Sequence, residues 1–247
     1  MNKKSCFFIS AGNNSLLCNH ILNKKVMLNN FDIIINFYDT DEYYFKKLSN
    51  IATHIEKNRT TKFISLKKMY DSSRIKNYEC VYVFDDDAIL IKGNYIRLQN
   101  LMLNYKLSII SPSHSKYGKV PYKELETKNG NHILRYVNFI EMNFPVFSRN
   151  ALEKYMNVYD GSLCGYGNDW WYLNVIEADK KECCAICDSV IVENPHHDKK
   201  NKSNCINSFM SLQKRGEEFE KVFEEKKLKM WDVKTKKYVY KKDKNEN

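Results

Sequence analysis

No apolar run in these 247 residues approaches the roughly 20 that span a bilayer, so no membrane-crossing helix is expected. An export signal is lacking too. Basic Asn2-Lys3-Lys4 is followed by a single short apolar stretch, Cys6 to Ile9, which is too short for the core of a signal peptide. A cytoplasmic protein is therefore expected, and the 8 cysteines are read as free thiols. Neither GxGxxG nor GxxxxGK[ST] occurs, which removes the usual dinucleotide-binding and P-loop readings. No internal repeat, long linker or recognisable nucleic-acid-binding motif is visible, and nucleic acid is not an expected partner.

What remains is a globular composition: 43% hydrophobic and 28% charged residues, enough for a real core in one large domain or one and a half. Net charge is +10, which suits acidic partners: nucleic acid, anionic lipid or phosphorylated small molecules. Composition does not choose among them.

The chain is organised around Val81-Tyr82-Val83-Phe84-Asp85-Asp86-Asp87-Ala88-Ile89-Leu90. The apolar run suits a strand buried on both faces. Three adjacent carboxylates cannot sit inside it unpaired, so they stand at its end. Alternate residues of extended chain point the same way, so Asp85 and Asp87 can share one target while Asp86 points elsewhere. A divalent cation carrying a phosphate fits that target, and a solvated acidic turn fits the same residues.

Taken in order, Cys6–Ile9 reads as a strand ending in the small-residue loop Ser10 to Ser15. Phe31–Phe37 is a second buried strand, closing on Tyr38-Asp39-Thr40-Asp41-Glu42. A helix is expected over 43–55, a third strand over Lys62–Leu66, a helix over 68–78, another over 95–104, and a strand over Leu107–Ile110. This alternation predicts an α/β fold with a parallel, doubly wound sheet, in which ligands bind outside the carboxyl ends of the strands. Residues 111–131 read as a polar loop, with His114 a surface histidine. Residues 133–148 read as extended chain in which Glu141 points to solvent or reaches a polar site.

Three glycines in 161–167 bend the backbone before a helix opened by Asn168 or Asp169. Asp169 serves as a helix cap, as a general base at the pocket rim, or as both. Trp170 and Trp171 read as core, with one able to face a sugar ring. Ala185–Val192 is the last expected strand, followed by His196 and His197, a surface pair or a source of a metal ligand. Cys183, Cys184 and Cys187 read as buried thiols rather than zinc ligands. Residues 208–231 are expected to be helical, and the lysine-rich remainder to be a solvated tail or a segment that docks on an anionic surface.

The apolar strand ending in Asp85-Asp86-Asp87 resembles the DxD region of nucleotide-sugar-dependent glycosyltransferases of the GT-A fold. Three stretches in order are similar to a plant-abundant glycosyltransferase-like family catalogued as a domain of unknown function. They are Thr61-Lys62-Phe63 through Tyr78 to Asp87; Val137 through Glu141 to Arg149; and Gly165-Tyr166-Gly167-Asn168-Asp169 with Cys187 to Val192 downstream. The likeness spans roughly 5–198, and the late histidine lies farther from Asp188-Ser189 than the family pattern has it. The resemblance implies a GT-A domain over 1–205 and a helical, basic extension over 206–247.

It further implies Mn²⁺ or Mg²⁺ held by Asp85, Asp87 and His196 or His197. Ser10, Ala11, Asn13, Asp39, Lys62 and Asp86 fall at the nucleotide sugar, Asp169 as base, and Glu141, Asn168 and Trp170 at acceptor or sugar. The implied partners are a nucleoside diphosphate sugar and a hydroxyl acceptor such as a glycan, with peripheral anionic-membrane contact through the basic carboxyl terminus. The rival expectations are a metal-dependent nucleotidyltransferase or phosphotransferase, and a non-catalytic nucleic-acid-binding protein.

Overall fold

The computed structural model describes residues 4–13, 15–16, 29–163, 165–196 and 210–240. Strand β1 (Ser5–Ala11) is buried along its whole length, with Cys6 and Phe8 in one core and Phe7, Ile9 and Ala11 in the other. β4 (Cys80–Asp85) repeats the arrangement: Val81 and Val83 face the first core, Cys80, Tyr82 and Phe84 the second. This alternation makes both strands central, sandwiched between helical layers. Phe7 stacks on Tyr82 at 4.5 Å and meets Phe31, Phe84 and Tyr95 edge-on, which fixes the register of the neighbouring strands.

β2 (Phe31–Phe37) and β3 (His54–Lys57) continue the sheet on one side, giving a parallel run β4-β1-β2-β3. On the other side the sheet is mixed. β8 (Val146–Ser148) is antiparallel to both β4 and β6 (Ile109–His114). β9 (Cys184–Glu193) runs parallel to β6. β7 (His132–Val137) and the short β5 (Ile89–Lys92) pair with β9 antiparallel. β10 (Thr235–Tyr240) closes that edge against β7. Helices α2 (Lys62–Asp71), α4 (Arg149–Val158) and α5 (Asn168–Val175) cover the first core; α1 (Glu42–Ser49) and α3 (Ile96–Asn104) cover the second. α6 (Leu212–Glu225) packs Val222, Phe219 and Phe223 onto the first core.

Several expectations change. Residues 62–66 are the opening turns of α2, not a strand, because Phe63, Leu66, Met69 and Tyr70 bury one helical face. The third strand is instead His54–Lys57, the end of the expected 43–55 helix. It is a four-residue, half-buried edge strand whose composition carries little apolar signal. The lysine-rich stretch after 231 contains β10. Lysines along a terminal strand guard an exposed edge, and here Lys236 binds the carbonyls of Ala178 and Asp179 while Lys237 reaches Glu182. Lys241, Lys242 and Lys244 lie outside the described residues. The five described cysteines are free thiols, and among the described residues no helix is long and apolar enough to cross a membrane.

A separate polar staple holds the β7–β9 edge. Arg135, fully buried, donates from Nε to Asp188 at 2.9 Å and from Nη2 to the Glu126 carbonyl at 2.9 Å. His132 meets the same carboxylate at 2.8 Å, and the Lys128 amide donates to it at 2.9 Å. The 116–128 segment is thereby tied to the sheet.

Candidate active site

The carboxyl ends of β1, β2 and β4 lie side by side, with Ser10 in register with Asp85. Ser10 and Ala11 are buried within β1 itself, where Asn36 donates to the Ser10 hydroxyl at 3.4 Å. Beyond them Gly12 donates its amide to Asp86 Oδ2 at 3.1 Å, and Asn13 donates its amide to Asp39 Oδ2 at 3.2 Å. A Cβ on Gly12 would lie 2.4 Å from the Tyr38 ring, so glycine is needed for this close approach. Asp86 is buried, and its carbonyl also accepts from the Leu16 amide and the Ser15 hydroxyl. It therefore braces the β1 loop from the turn that follows β4.

Asp85 keeps a third of its side chain open, while Asp87 beside it is buried. Burial pushes the Asp85 pKa up; Lys62 opposes that, and the charges of Asp87 and Asp86 add to it. Lys62, the first residue of α2, donates to Asp85 Oδ1 at 2.5 Å and to the Met142 carbonyl at 2.6 Å. The Asp85 amide donates to the Asn143 carbonyl at 3.0 Å. The acid motif is thus fastened to the turn 141–143.

Glu141 stands on that turn. Its side chain is 15% exposed, its Oε2 has no hydrogen-bond partner, and His114 Nε2 lies 3.8 Å away. Burial, then the charges of Asp169 and Asp85, push its pKa up to about 8. His114 is not on the surface: it is 1% exposed against Phe144, and burial lowers its pKa to about 4. A neutral histidine and a proton-holding glutamic acid therefore face one another at neutral pH.

Asp169 lies in the first turn of α5, opened by Gly167 in the left-handed region (φ +91°). Burial raises its pKa to about 6 against the pull of the Trp170 amide, its own amide and Lys62. Lys62 binds Asp85 and the carbonyl of Met142, the residue after Glu141, and its charge is also felt at Glu141 and Asp169.

Glu141 also lines a groove of about 610 Å³, together with Lys116, Lys119, Asn143, Asn194 and His196 among others. His196 is exposed on the groove wall, and His197 lies outside the described residues. The other expected contacts are not at its surface. Asn168 is fully buried: Tyr155 donates to its Oδ1 at 2.5 Å, and its amide donates to the carbonyls of Leu163 and Gly165. Trp170 is buried between Phe139 and Trp231, so its ring is not open to a sugar. An exposed aromatic here is Tyr122, whose ring lies 4.8 Å from that of Phe139 at a tilt of 58° and within the fields of Asp169 and Glu141. Sequence reasoning missed it because a tyrosine in a polar loop carries no periodic signal. It missed Lys116, Lys119 and Asn194 for the same reason.

The donor set suits Mn²⁺ or Mg²⁺. Carboxylate oxygens are hard ligands, and the lysine ammonium on Asp85 marks a position where positive charge is needed. Among the described residues no three His, Cys, Asp or Glu side chains form a ready metal cage. Asp85 and Asp87 thus offer two carboxylates, an arrangement that Mg²⁺ uses when substrate phosphates complete its shell.

No protein-family model and no curated protein sequence matches the chain, so the likeness to the plant-abundant family rests on its three motifs. Solved structures match by fold. GalNAc-T7, crystallised with UDP, GalNAc and Mn²⁺, aligns with a TM-score of 0.60 at 10% identity, over 90% of this chain and 48% of that one. TarS 1–349 of S. aureus in complex with UDP-GlcNAc aligns with a TM-score of 0.56 at 10% identity, over 83% and 61%. The same fragment with UDP gives 0.54 at 10% identity, over 90% and 72%. The chain spans about half the length of the first of these and three fifths of the second. Its fold is that of the GT-A glycosyltransferases, an α/β domain with a mixed central sheet flanked by helices.

Proposed function

We propose that this chain is a metal-dependent glycosyltransferase that moves a sugar from a nucleoside diphosphate to a hydroxyl acceptor with inversion at the anomeric carbon. The observation that carries the reading is Lys62 bridging Asp85, at the carboxyl end of β4, to the Met142 carbonyl next to Glu141, within a GT-A fold. In this reading Asp85 and Asp87 hold Mn²⁺ or Mg²⁺, with His196 or His197 as a further ligand. The cation supplies positive charge for the departing diphosphate. Asp86 and Asp39 fix the loop over Ser10–Asn13 through its Gly12 and Asn13 amides, and the nucleotide binds beside that loop.

Asp169 accepts the proton of the acceptor hydroxyl as its oxygen attacks the anomeric carbon. A carboxylate raised to about 6 is ionised at neutral pH yet more basic than an ordinary aspartate, which suits a general base. Glu141, holding its proton, donates a hydrogen bond to a sugar hydroxyl at the mouth of the groove. Asn168 and Trp170 act from behind by fixing the turn that presents Asp169. Tyr122, exposed beside Asp169 and Glu141, offers a ring against which a sugar packs. The hexosyl or pentosyl nature of the donor follows from whichever nucleotide sugar turns over.

Product analysis tests the reading. Incubation with nucleotide sugars and Mn²⁺ is expected to yield nucleoside diphosphate with free or transferred sugar. Sugar 1-phosphate, with the nucleoside monophosphate released or transferred, would refute it in favour of a nucleotidyltransferase.

A further inference from the structure

A lysine at the first position of a helix sits at the electropositive end, where a cation is disfavoured. α2 has no acid in its own first turn to offset this, and the Lys62 side chain is only 12% exposed, so water does not compensate either. What accounts for its position is the pair of oxygens it binds, Asp85 Oδ1 at 2.5 Å and the Met142 carbonyl at 2.6 Å. The ammonium neutralises the most open of the three strand-end acids. It also pins the turn that carries Glu141 and Asn143 onto the acid motif. The turn has further anchors in the Asp85 amide on the Asn143 carbonyl and the Val83 amide on the Pro145 carbonyl at 2.9 Å. Losing the lysine contact would loosen it without unfolding it.

The Asp85 oxygen that faces Lys62 is one of the two that Asp85 can offer a cation. An ammonium on it weakens the carboxylate as a ligand and repels a second positive charge. We propose that Lys62 is an exchangeable counter-ion: it and a divalent cation compete for the Asp85 carboxylate, and entry of the cation frees Lys62 from Asp85 and relaxes the 141–143 turn. This rests on the reading of the strand-end acids as a cation-dependent donor site. It adds a link that the reading does not contain, in which occupancy of the acid pair is signalled to Glu141 and Asn143, both walls of the groove.

The test uses the full chain and no turnover assay. Free Mn²⁺ is followed by electron paramagnetic resonance during titration of wild type, K62M and K62R. Amide resonances of Met142 and Asn143 are followed during Mg²⁺ titration. K62M is expected to bind Mn²⁺ about tenfold more tightly, the scale of one charge-assisted hydrogen bond removed from the competition. K62R, which keeps the charge, is expected to stay close to wild type. In wild type, Mg²⁺ should move the Met142 and Asn143 signals; in K62M they should already lie near their metal-bound positions. Should K62M fold poorly, K62Q carries the same comparison.

Equal or weaker Mn²⁺ binding by K62M, with wild type binding normally, overturns the exchange and leaves the cation site standing. Absence of Mn²⁺ binding by every protein overturns the exchange and the cation-dependent reading together.

Discussion

Gly167→Ala tests how the proposed base is held. Gly167 has φ +91° and immediately precedes α5, two residues before Asp169. A Cβ there would lie 2.5 and 2.9 Å from two carbons of the Phe219 ring and 3.3 Å from a methyl of Leu163. The left-handed backbone costs a non-glycine residue about 1–2 kcal/mol, and forcing a methyl into a filled contact costs about 1–3 kcal/mol. The expected destabilisation is therefore about 2–5 kcal/mol, a large share of the roughly 5–15 kcal/mol that holds a typical domain.

Urea unfolding of G167A, F219A and the double variant separates the two causes. Removing the ring should return the overpacking share and leave the backbone share, giving a coupling of about 1–3 kcal/mol between the sites. If G167A costs less than about 1 kcal/mol, or if the two changes add within about 0.5 kcal/mol, the steric argument is wrong. In that case α6 does not brace the turn.

Other outcomes follow from the same geometry. Glu141 keeps its proton up to about 8 in the folded state but loses it near 4.5 when unfolded, so wild-type stability should fall as pH rises between those values and level off above them. E141Q should abolish that slope and be more stable than wild type at pH 8.5 by something on the order of 5 kcal/mol, with no difference near pH 4; parallel slopes in urea titrations would contradict this. With Asp169 titrating at about 6, transfer should climb between pH 5 and 7, and D169N should bind nucleotide normally while transfer drops by at least about a hundredfold. Asp188→Ala leaves the buried Arg135 charge without its carboxylate and should cost about 3–5 kcal/mol, read as a lowered urea midpoint.

The central strands were legible because residues buried on both faces write themselves as unbroken apolar runs: Cys6–Ile9, Phe31–Phe37 and Val81–Phe84 all became strands. The acids at the end of β4 were legible for the complementary reason, since charge cannot stay inside such a run. Edge strands were not. β3 is short and half-exposed, and β10 follows a lysine pair with two tyrosines in a lysine-rich stretch, a composition equally fit for a frayed tail. Residues 62–66 misled because an apolar pentapeptide has no distinguishable period on its own; only the continuation to Met69 and Tyr70 makes the helical face clear. His114 is buried and Tyr122 exposed, against expectation for the first and unforeseen for the second, because loop side chains are placed by tertiary contacts such as Phe144 and Phe139. Trp170 lost its exposed face to Trp231, a residue more than sixty positions away, and no local pattern encodes that contact.

The most direct measurement is a melting-temperature panel of nucleoside diphosphates and nucleotide sugars, with and without Mn²⁺, on wild type and a D85N/D87N variant. One nucleotide should stabilise the wild-type chain when Mn²⁺ is present, and that gain should vanish both without the ion and in the double variant. A gain indifferent to Mn²⁺ and to the loss of both carboxylates, or no gain with any nucleotide, would contradict a cation-held diphosphate at the end of β4.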